Sequence, residues 1–264
     1  MTSLDNLRNA WEGHAKRDAL GAILTDDRKV GGKWDLAEFM ATGEREIATV
    51  IGHLNSIGHG PDMSGRALDF GCGVGRLTQA LARRFHSCVG VDISQEMIRQ
   101  AESLSQYPNC RYVANPARKL PFEDASFSFL YSNIVLQHVP RRLATNYLRE
   151  FVRLLAPQGI LVFGVQDSFA APNLSSRMVR LRHVVHLRSR IRVVLKRGSG
   201  EMQMHCLPEH IIRDALQPAK IVDIQLTNTA ARDFNGHLVY LEQPPSSGYV
   251  GKQYCVVAPS AART

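Results

Sequence analysis

The sequence predicts a doubly wound α/β domain, a mostly parallel seven-stranded sheet with helices on both faces. Two observations predict it. From Arg66 onward, short apolar runs alternate with amphipathic helical stretches, the pattern of a parallel sheet with crossover helices. The first run also ends abruptly on glycines spaced by single residues, in "ALDFGCGVGR" over residues 67–76, as a tight strand-to-helix turn requires.

Each element has its own signal. "ALDF" (67–70) is a buried strand bounded by glycine. "LTQALARRF" places Leu77, Leu81 and Phe85 on one helical face. "CVGVD" (88–92) is the second strand, after which Ser94 caps a helix through "QEMIRQAESL". "RYVA" (111–114), "FSFLYS" (127–132) and "ILVFGV" (160–165) are further strands. Between the last two, Leu143, Tyr147, Leu148, Phe151, Val152 and Leu155 form a helical stripe that Pro157 and Gly159 are expected to end. "KIVDIQL" and "QYCVVA" complete seven strands, with a long irregular link between them.

Around residues 65–264 two additions stand out. Residues 1–64 read as a helical preface ending in the turn-rich "GHGPDMSG". Residues 168–207 read as an insertion after the fifth strand. Net charge is +8, and the stretch from Ser168 to Gly200 holds no Asp or Glu while carrying Arg177, Arg180, Arg182, Arg188, Arg190, Arg192, Lys196 and Arg197. The basicity is local. At 264 residues with 44% hydrophobic content, the chain suits one sizeable domain with additions. The polar N-terminal stretch is no secretory signal, and no apolar run has bilayer length. Five scattered cysteines without a C-x-x-C pair are expected to be reduced, in a cytoplasmic protein.

The glycines imply a ligand across the C-terminal ends of the strands, where Cβ atoms would collide with it. Dinucleotide sites use glycine for the same reason, so three details decide between ligands. The spacing is G-x-G-x-G at Gly71, Gly73 and Gly75, and Arg76 holds the position of a third dinucleotide glycine. Asp69, inside the motif, disfavours a pyrophosphate and favours a ligand bearing an ammonium and a sulfonium. Asp92 ends the second strand, where it can accept two ribose hydroxyls.

These residues resemble class I S-adenosylmethionine-dependent methyltransferases, whose fold is Rossmann-like. "LDFGCGVG" is similar to their first motif and "VGVDIS" to their second. "ARKLPFEDASFSFLYSNIVLQHV" and "LLAPQGILVFG" look like their adenine loop with fourth strand, and their fifth. The resemblance runs from Arg66 to Val165. It implies S-adenosylmethionine as cofactor and S-adenosylhomocysteine as product. It implies that Gly71, Gly73 and nearby backbone, including Gly75, hold the methionine moiety beside Asp69. Asp92 would hold the ribose, and Ile93 and Met97 would flank the adenine. Relatives carry an acid and then Ala after the third strand. Here Asn115-Pro116-Ala117 stands in that place, so the adenine hydrogen bond would come from Asn115, from backbone such as the Ala117 N–H, or not at all. Asn133, at the end of the fourth strand, completes the expected cofactor set. The preface, "WEGHAKRDALGAIL…GGKWDLAEFMATGEREI", is similar to an N-terminal helical lid of a bacterial subgroup, which makes Trp11, Trp34 and the Thr42-Gly43 turn candidates for lining the site.

The candidate base is His138, beyond the fourth strand in "SNIVLQHVP", with tying down the loop before Pro140 as its other reading. His14 is a weaker candidate. His205, His210 and His237 fit no compact metal spacing, so no metal site is expected. Enzymes that methylate DNA-base amino groups carry D/N-P-P-Y/F after the fourth strand, whereas this chain has Ser132-Asn133-Ile134-Val135. The expected reaction is therefore methyl transfer to a hydroxyl of a small molecule, a sugar or glycan or a secondary metabolite. Small-molecule N-methylation, RNA methylation, a catalytically silent cofactor-binding module and a nicotinamide dehydrogenase stay open as alternatives. The basic stretch 177–197 has no Phe, Tyr or Trp to stack bases, so nucleic acid is not the expected partner. A lid over an anionic acceptor, or contact with an anionic membrane surface, are its functional readings.

Overall fold

The computed structural model describes residues 3–26, 28–29, 31–170, 204–231 and 234–260. The readings of the basic stretch 177–197, as lid or membrane contact, lie outside the described residues. Two helices open the chain, α1 (Ser3–Ile23) and α2 (Leu36–Ser56). Then follow β1 (Arg66–Phe70), α3 (Arg76–Ala82), β2 (Ser87–Asp92), α4 (Gln95–Leu104), β3 (Cys110–Ala114) and β4 (Phe127–Ser132). A short 3-10 turn, Leu136–His138, leads into α5 (Arg141–Leu154) and the long β5 (Leu155–Ala170). The last elements are α6 (Glu209–Ala215), β6 (Lys220–Thr227), β7 (Tyr240–Leu241) and β8 (Gly248–Val257).

The sheet order is β3-β2-β1-β4-β5-β8-β6-β7. Strands β1 to β5 are parallel, β8 runs antiparallel between β5 and β6, and the order reverses between β1 and β4. Such a reversal opens a crevice beyond the strand ends, where α/β proteins bind ligands. Among the described residues the sheet has eight strands where the sequence predicts seven. The extra one is the two-residue β7, an edge pairing at Leu226↔Leu241 and Thr227↔Tyr240. Helix α5 also ends earlier than its stripe suggests. Leu155 is not its last turn but pairs with Phe127, and residues 156–159 loop out before Ile160 pairs with Phe129. The gain is burial: Leu155 joins the core beside Phe127, which outweighs one more helical residue.

The two faces bury separate cores. Leu68 and Phe70 of β1 face α5 and α6 through Tyr147, Phe151 and Ile212. Ala67, one residue out of phase, faces α2 and α3 through Ile47, Val50, Leu77 and Leu81, as strand alternation demands. Helix α1 packs on a third cluster with Phe39, Met97 and Phe234. It is pinned to α4 from two places. The Glu12 carboxylate accepts the N–H of Gln95 at 2.6 Å, and Gln100 Nε2 donates to the Ala15 carbonyl at 3.1 Å.

Helix α2 has an apolar stripe interrupted by an acid. Phe39, Gly43, Ile47, Val50 and Leu54 are buried on it, and so is Glu46. Its carboxylate meets Arg76 Nη2 at 2.8 Å with both side chains essentially out of solvent. Tyr131 Oη and Asn133 Nδ2 donate to Glu46 Oε1, each at 2.8 Å, and Arg76 Nη1 donates to Thr42 Oγ1 at 3.1 Å. Close approach of the helices depends on Gly43, where a Cβ would lie 2.4 Å from the Arg76 carbonyl oxygen. One partner removed leaves the other charge buried alone, an effect of about 3–5 kcal/mol. Glu46→Ala is therefore expected to lower unfolding free energy by about that amount in urea titrations, and pairing Glu46→Leu with Arg76→Met is expected to restore most of it.

Candidate functional site

A cavity of about 430 Å³ opens beyond the C-terminal ends of β1, β2, β4 and β5. Its floor is the turn after β1. Gly71, Gly73 and Gly75 all have positive φ, at 78°, 52° and 87°, so L side chains there would be strained. At Gly71 a Cβ would also lie 2.3 Å from Val135 Cγ2, and at Gly73 it would lie 2.5 Å from Ile23 Cδ1 of α1. The glycines let the turn pass beneath two protein walls.

Asp92 sits at the end of β2, buried at the cavity wall. Its Oδ2 accepts the Gly73 N–H at 2.9 Å and its Oδ1 accepts the Ser94 N–H at 2.9 Å. One carboxylate thus fixes the glycine turn and the start of α4, and each oxygen keeps acceptor capacity for a ligand. Burial pushes its carboxyl pKa up, against those backbone donors, which pull it down. Ser94 Oγ caps α4 by accepting the Met97 N–H at 3.1 Å, which sets Ile93 and Met97 into the wall.

Residues 68–163 match the family model for a methyltransferase domain. By this stretch the chain resembles S-adenosylmethionine-dependent methyltransferases. Over 101 residues it is 36% identical to the demethylmenaquinone methyltransferase of Staphylococcus aureus strain MRSA252, a stretch covering 37% of this chain and 41% of that protein. The chain thus spans about two fifths of that relative's length. In fold it is similar to magnesium protoporphyrin IX methyltransferase from Synechocystis PCC 6803, solved with bound SAH. The TM-score is 0.58 at 17% identity, covering 95% of this chain and 97% of that one. It is also similar to Haemonchus contortus phosphoethanolamine N-methyltransferase 1, solved with phosphoethanolamine and S-adenosylhomocysteine. There the TM-score is 0.62 at 14% identity, covering 100% of this chain and 51% of that one. At such identities the likeness is one of fold.

Within this methyltransferase domain, Gly71, Gly73, Asp92, Ile93, Met97, Asn115, Asn133 and His138 line the cavity together. Four other expected residues are not in its wall. Gly75 instead starts α3, with Tyr112 Oη 2.6 Å from where its Cβ would be. Asp69 lies under the turn, because strand alternation sends it with Ala67 toward α3, where Thr78 Oγ1 donates to its Oδ2 at 2.6 Å. Pro116 and Ala117 stay in a loop that closes on itself. Asn115 Oδ1 accepts the Ala117 N–H at 3.3 Å, and its Nδ2 donates to the carbonyls of Ala117 and Lys119. In this arrangement the Asn115 amide and the Ala117 N–H are hydrogen-bonded to each other. Asn133 likewise spends its amide on Glu46 and on the Ile134 N–H, so it positions the wall rather than offering a free group.

On the other side of the cavity, Trp11 of α1 meets the His138 ring edge-on at 5.6 Å, and Gln137 Nε2 lies 3.3 Å from His138 Nε2. His14 packs on Trp11 at 5.6 Å but is not in the wall. Trp34 is buried, with Nε1 donating to the Leu24 carbonyl, and Thr42-Gly43 packs on Arg76; none of the three lines the cavity. Sequence reasoning missed Arg76 and Gln166 as wall residues, and Thr229, Phe234 and Tyr249 from the C-terminal elements. Among the described residues, His53, Asp223 and Cys255 bring three potential metal-ligand atoms within 4.8 Å of one another. His53 Nε2 is 2.7 Å from Asp223 Oδ2, and burial pushes the Cys255 thiol up to about 12, so the group reads as a packed hydrogen-bonded cluster.

Burial raises the Asp69 carboxyl to about 7 against the Thr78 hydrogen bond. An acid whose folded pKa lies above its unfolded value holds its proton in the native state while the unfolded chain releases it. Stability therefore falls as pH rises from about 4 to about 7 and is flat above. A shift of that size corresponds to roughly 4 kcal/mol. Unfolding of the Asp69→Asn variant across pH 4–8 is expected to lose most of this slope, leaving the same-signed contribution of Asp92.

Proposed function

We propose that this chain is an S-adenosylmethionine-dependent methyltransferase that methylates a hydroxyl on a small, largely apolar acceptor. The observation that carries it is Asp92, a carboxylate at the end of β2 in the wall of a cavity floored by the glycine turn. The residues fit the cofactor. Asp92 would accept from the ribose hydroxyls, Ile93 and Met97 offer an apolar slot for the adenine, and Gly71 with Gly73 leaves room for the methionine portion. Arg76, its charge balanced by Glu46, stands where a dinucleotide turn would have glycine. S-adenosylmethionine supplies, when bound, a methyl carbon on a sulfonium leaving group.

The protein's part is alignment and proton removal. A nucleophile held in line is worth about 7–11 kcal/mol through proximity, and a base adds a further ~10²–10⁴-fold. His138 is the candidate base, its ring held between Trp11 and Gln137. The wall around it, with Leu7, Trp11, Val135, Val139, Phe234 and Tyr249, favours a flat or aliphatic ring over a sugar, which would leave its hydroxyls unpaired. The name of the Staphylococcus relative, a demethylmenaquinone methyltransferase, points the same way, toward quinone-like acceptors in place of the glycan the sequence suggested.

Calorimetry with S-adenosylhomocysteine tests the cofactor site. Asp92→Asn is expected to weaken binding about tenfold or more through the lost charged acceptor, and unchanged affinity would sink the assignment. For the chemistry, labelled methyl transfer to a panel of phenols and hydroxyquinones reads turnover. His138→Gln is expected to lower kcat about 10²–10³-fold with S-adenosylhomocysteine affinity intact. Tight binding with no turnover on any acceptor would favour a silent cofactor-binding module instead.

A further inference from the structure

Gln166 of β5 is completely buried, lines the cavity, and has no hydrogen-bond partner for Oε1 or Nε2 among the described residues. Its backbone, by contrast, is engaged on both sides. The Gln166 carbonyl accepts the Leu207 N–H at 2.8 Å, the chain bridges to Cys206, and the β5–β8 register slips just after it, between Gln166 and Ser168. The residue is therefore clamped in place with its amide idle. An unmet buried donor and an unmet buried acceptor each cost about 1–3 kcal/mol. Leu or Met would fill the space without that cost, so the amide is explained by a ligand that meets it.

The surroundings limit what that ligand can be. Among the described wall residues the charged side chains are Arg76, balanced by Glu46, and Asp92, held by two backbone N–H groups. Apart from the titratable His138, the rest of the described wall is uncharged, with Gln137, Thr229 and Tyr249 among its polar members. A carboxylate or phosphate on the acceptor would meet no unpaired Lys or Arg among the described wall residues, which is unfavourable.

We propose that Gln166 selects the acceptor, by pairing its carboxamide reciprocally with a neutral donor–acceptor edge on an apolar ring. A cis-lactam, or a carbonyl beside a hydroxyl, has that edge. One group accepts from Nε2 while its neighbour donates to Oε1, so both idle atoms are satisfied together. This inference rests on the reading of the cavity as a methyl-acceptor site. It goes beyond it in naming the residue that discriminates and the neutral edge that it recognises.

The test uses the full chain saturated with S-adenosylhomocysteine and three bicyclic probes, titrated calorimetrically. These are 2-quinolone, which carries the complete edge; 1-methyl-2-quinolone, which lacks the donor; and 2-naphthoate, which is anionic. The wild type is expected to bind 2-quinolone about tenfold tighter than either of the others, the usual consequence of an unmatched buried polar group. Gln166→Met is expected to abolish the preference between the two quinolones while leaving S-adenosylhomocysteine affinity within about twofold of wild type. No binding of 2-quinolone, equal binding of the two quinolones, or tighter binding of 2-naphthoate would overturn the proposal. So would an equal loss of S-adenosylhomocysteine affinity in Gln166→Met, which would move the residue to the cofactor's side. The wild-type probe series decides even if the variant fails to fold. Failure of the wild type to bind S-adenosylhomocysteine would instead overturn the cofactor reading, and the same probe series without it would still judge Gln166.

Discussion

The ion pair between Arg76 and Glu46 is the constraint on which the site depends. Glu46 belongs to α2, which precedes the sheet in the chain, and Arg76 is the first residue after the glycine turn. The same carboxylate receives Tyr131 and Asn133 from the end of β4. A second carboxamide extends the chain of bonds, since Tyr240 donates to Gln253, whose amide lies 3.5 Å from Tyr131 Oη. Helix α2, the turn, the central strand and the antiparallel edge therefore meet at one buried charge. A pair of this kind gains little over an apolar substitute but is costly to break. Its physical meaning here is geometric: the position of α2 and the shape of the cavity floor cannot vary independently.

Much of the fold was legible because its signals are local. Strand ends at Phe70 and Asp92, the cap at Ser94 and the glycine turn are each determined within a few residues of chain. What was not legible depends on pairing across distance. Tyr240–Leu241 is a strand because β6 has an open edge, which no two-residue run announces. Leu155 left its helical stripe because Phe127 needed a partner. In the site, Asp92 could be read from its place after a strand. The inward turn of the Asn115 amide onto its own loop could not be read, since it depends on the carbonyls of Ala117 and Lys119. Glu46 did leave a trace, an acid in step with Phe39, Gly43, Val50 and Leu54 on an otherwise apolar face, where a lone charge demands a partner. Gln166 left a similar one, a carboxamide at the end of "ILVFGVQ", in phase with Val162 and Gly164.

The family match and the cavity divide along the same line. Residues 68–163 supply the glycine turn, Asp92, Met97 and His138, whereas Trp11, Gln166, Thr229, Phe234 and Tyr249 come from outside them. The shared portion carries the part of the wall that related folds reuse, and the unshared portion carries what distinguishes one ligand from another. Function is therefore resolved unevenly along the chain.

Helix α1 has one further property that follows from Glu12. Its carboxylate rests on the first N–H groups of α4, where the aligned peptide dipoles leave partial positive charge. Swinging α1 away would expose that charge and separate Trp11 from the imidazole in a single motion. Any such displacement would be opposed by an attraction that dissolved ions screen, so the seating of α1 on α4 would weaken as ionic strength rises.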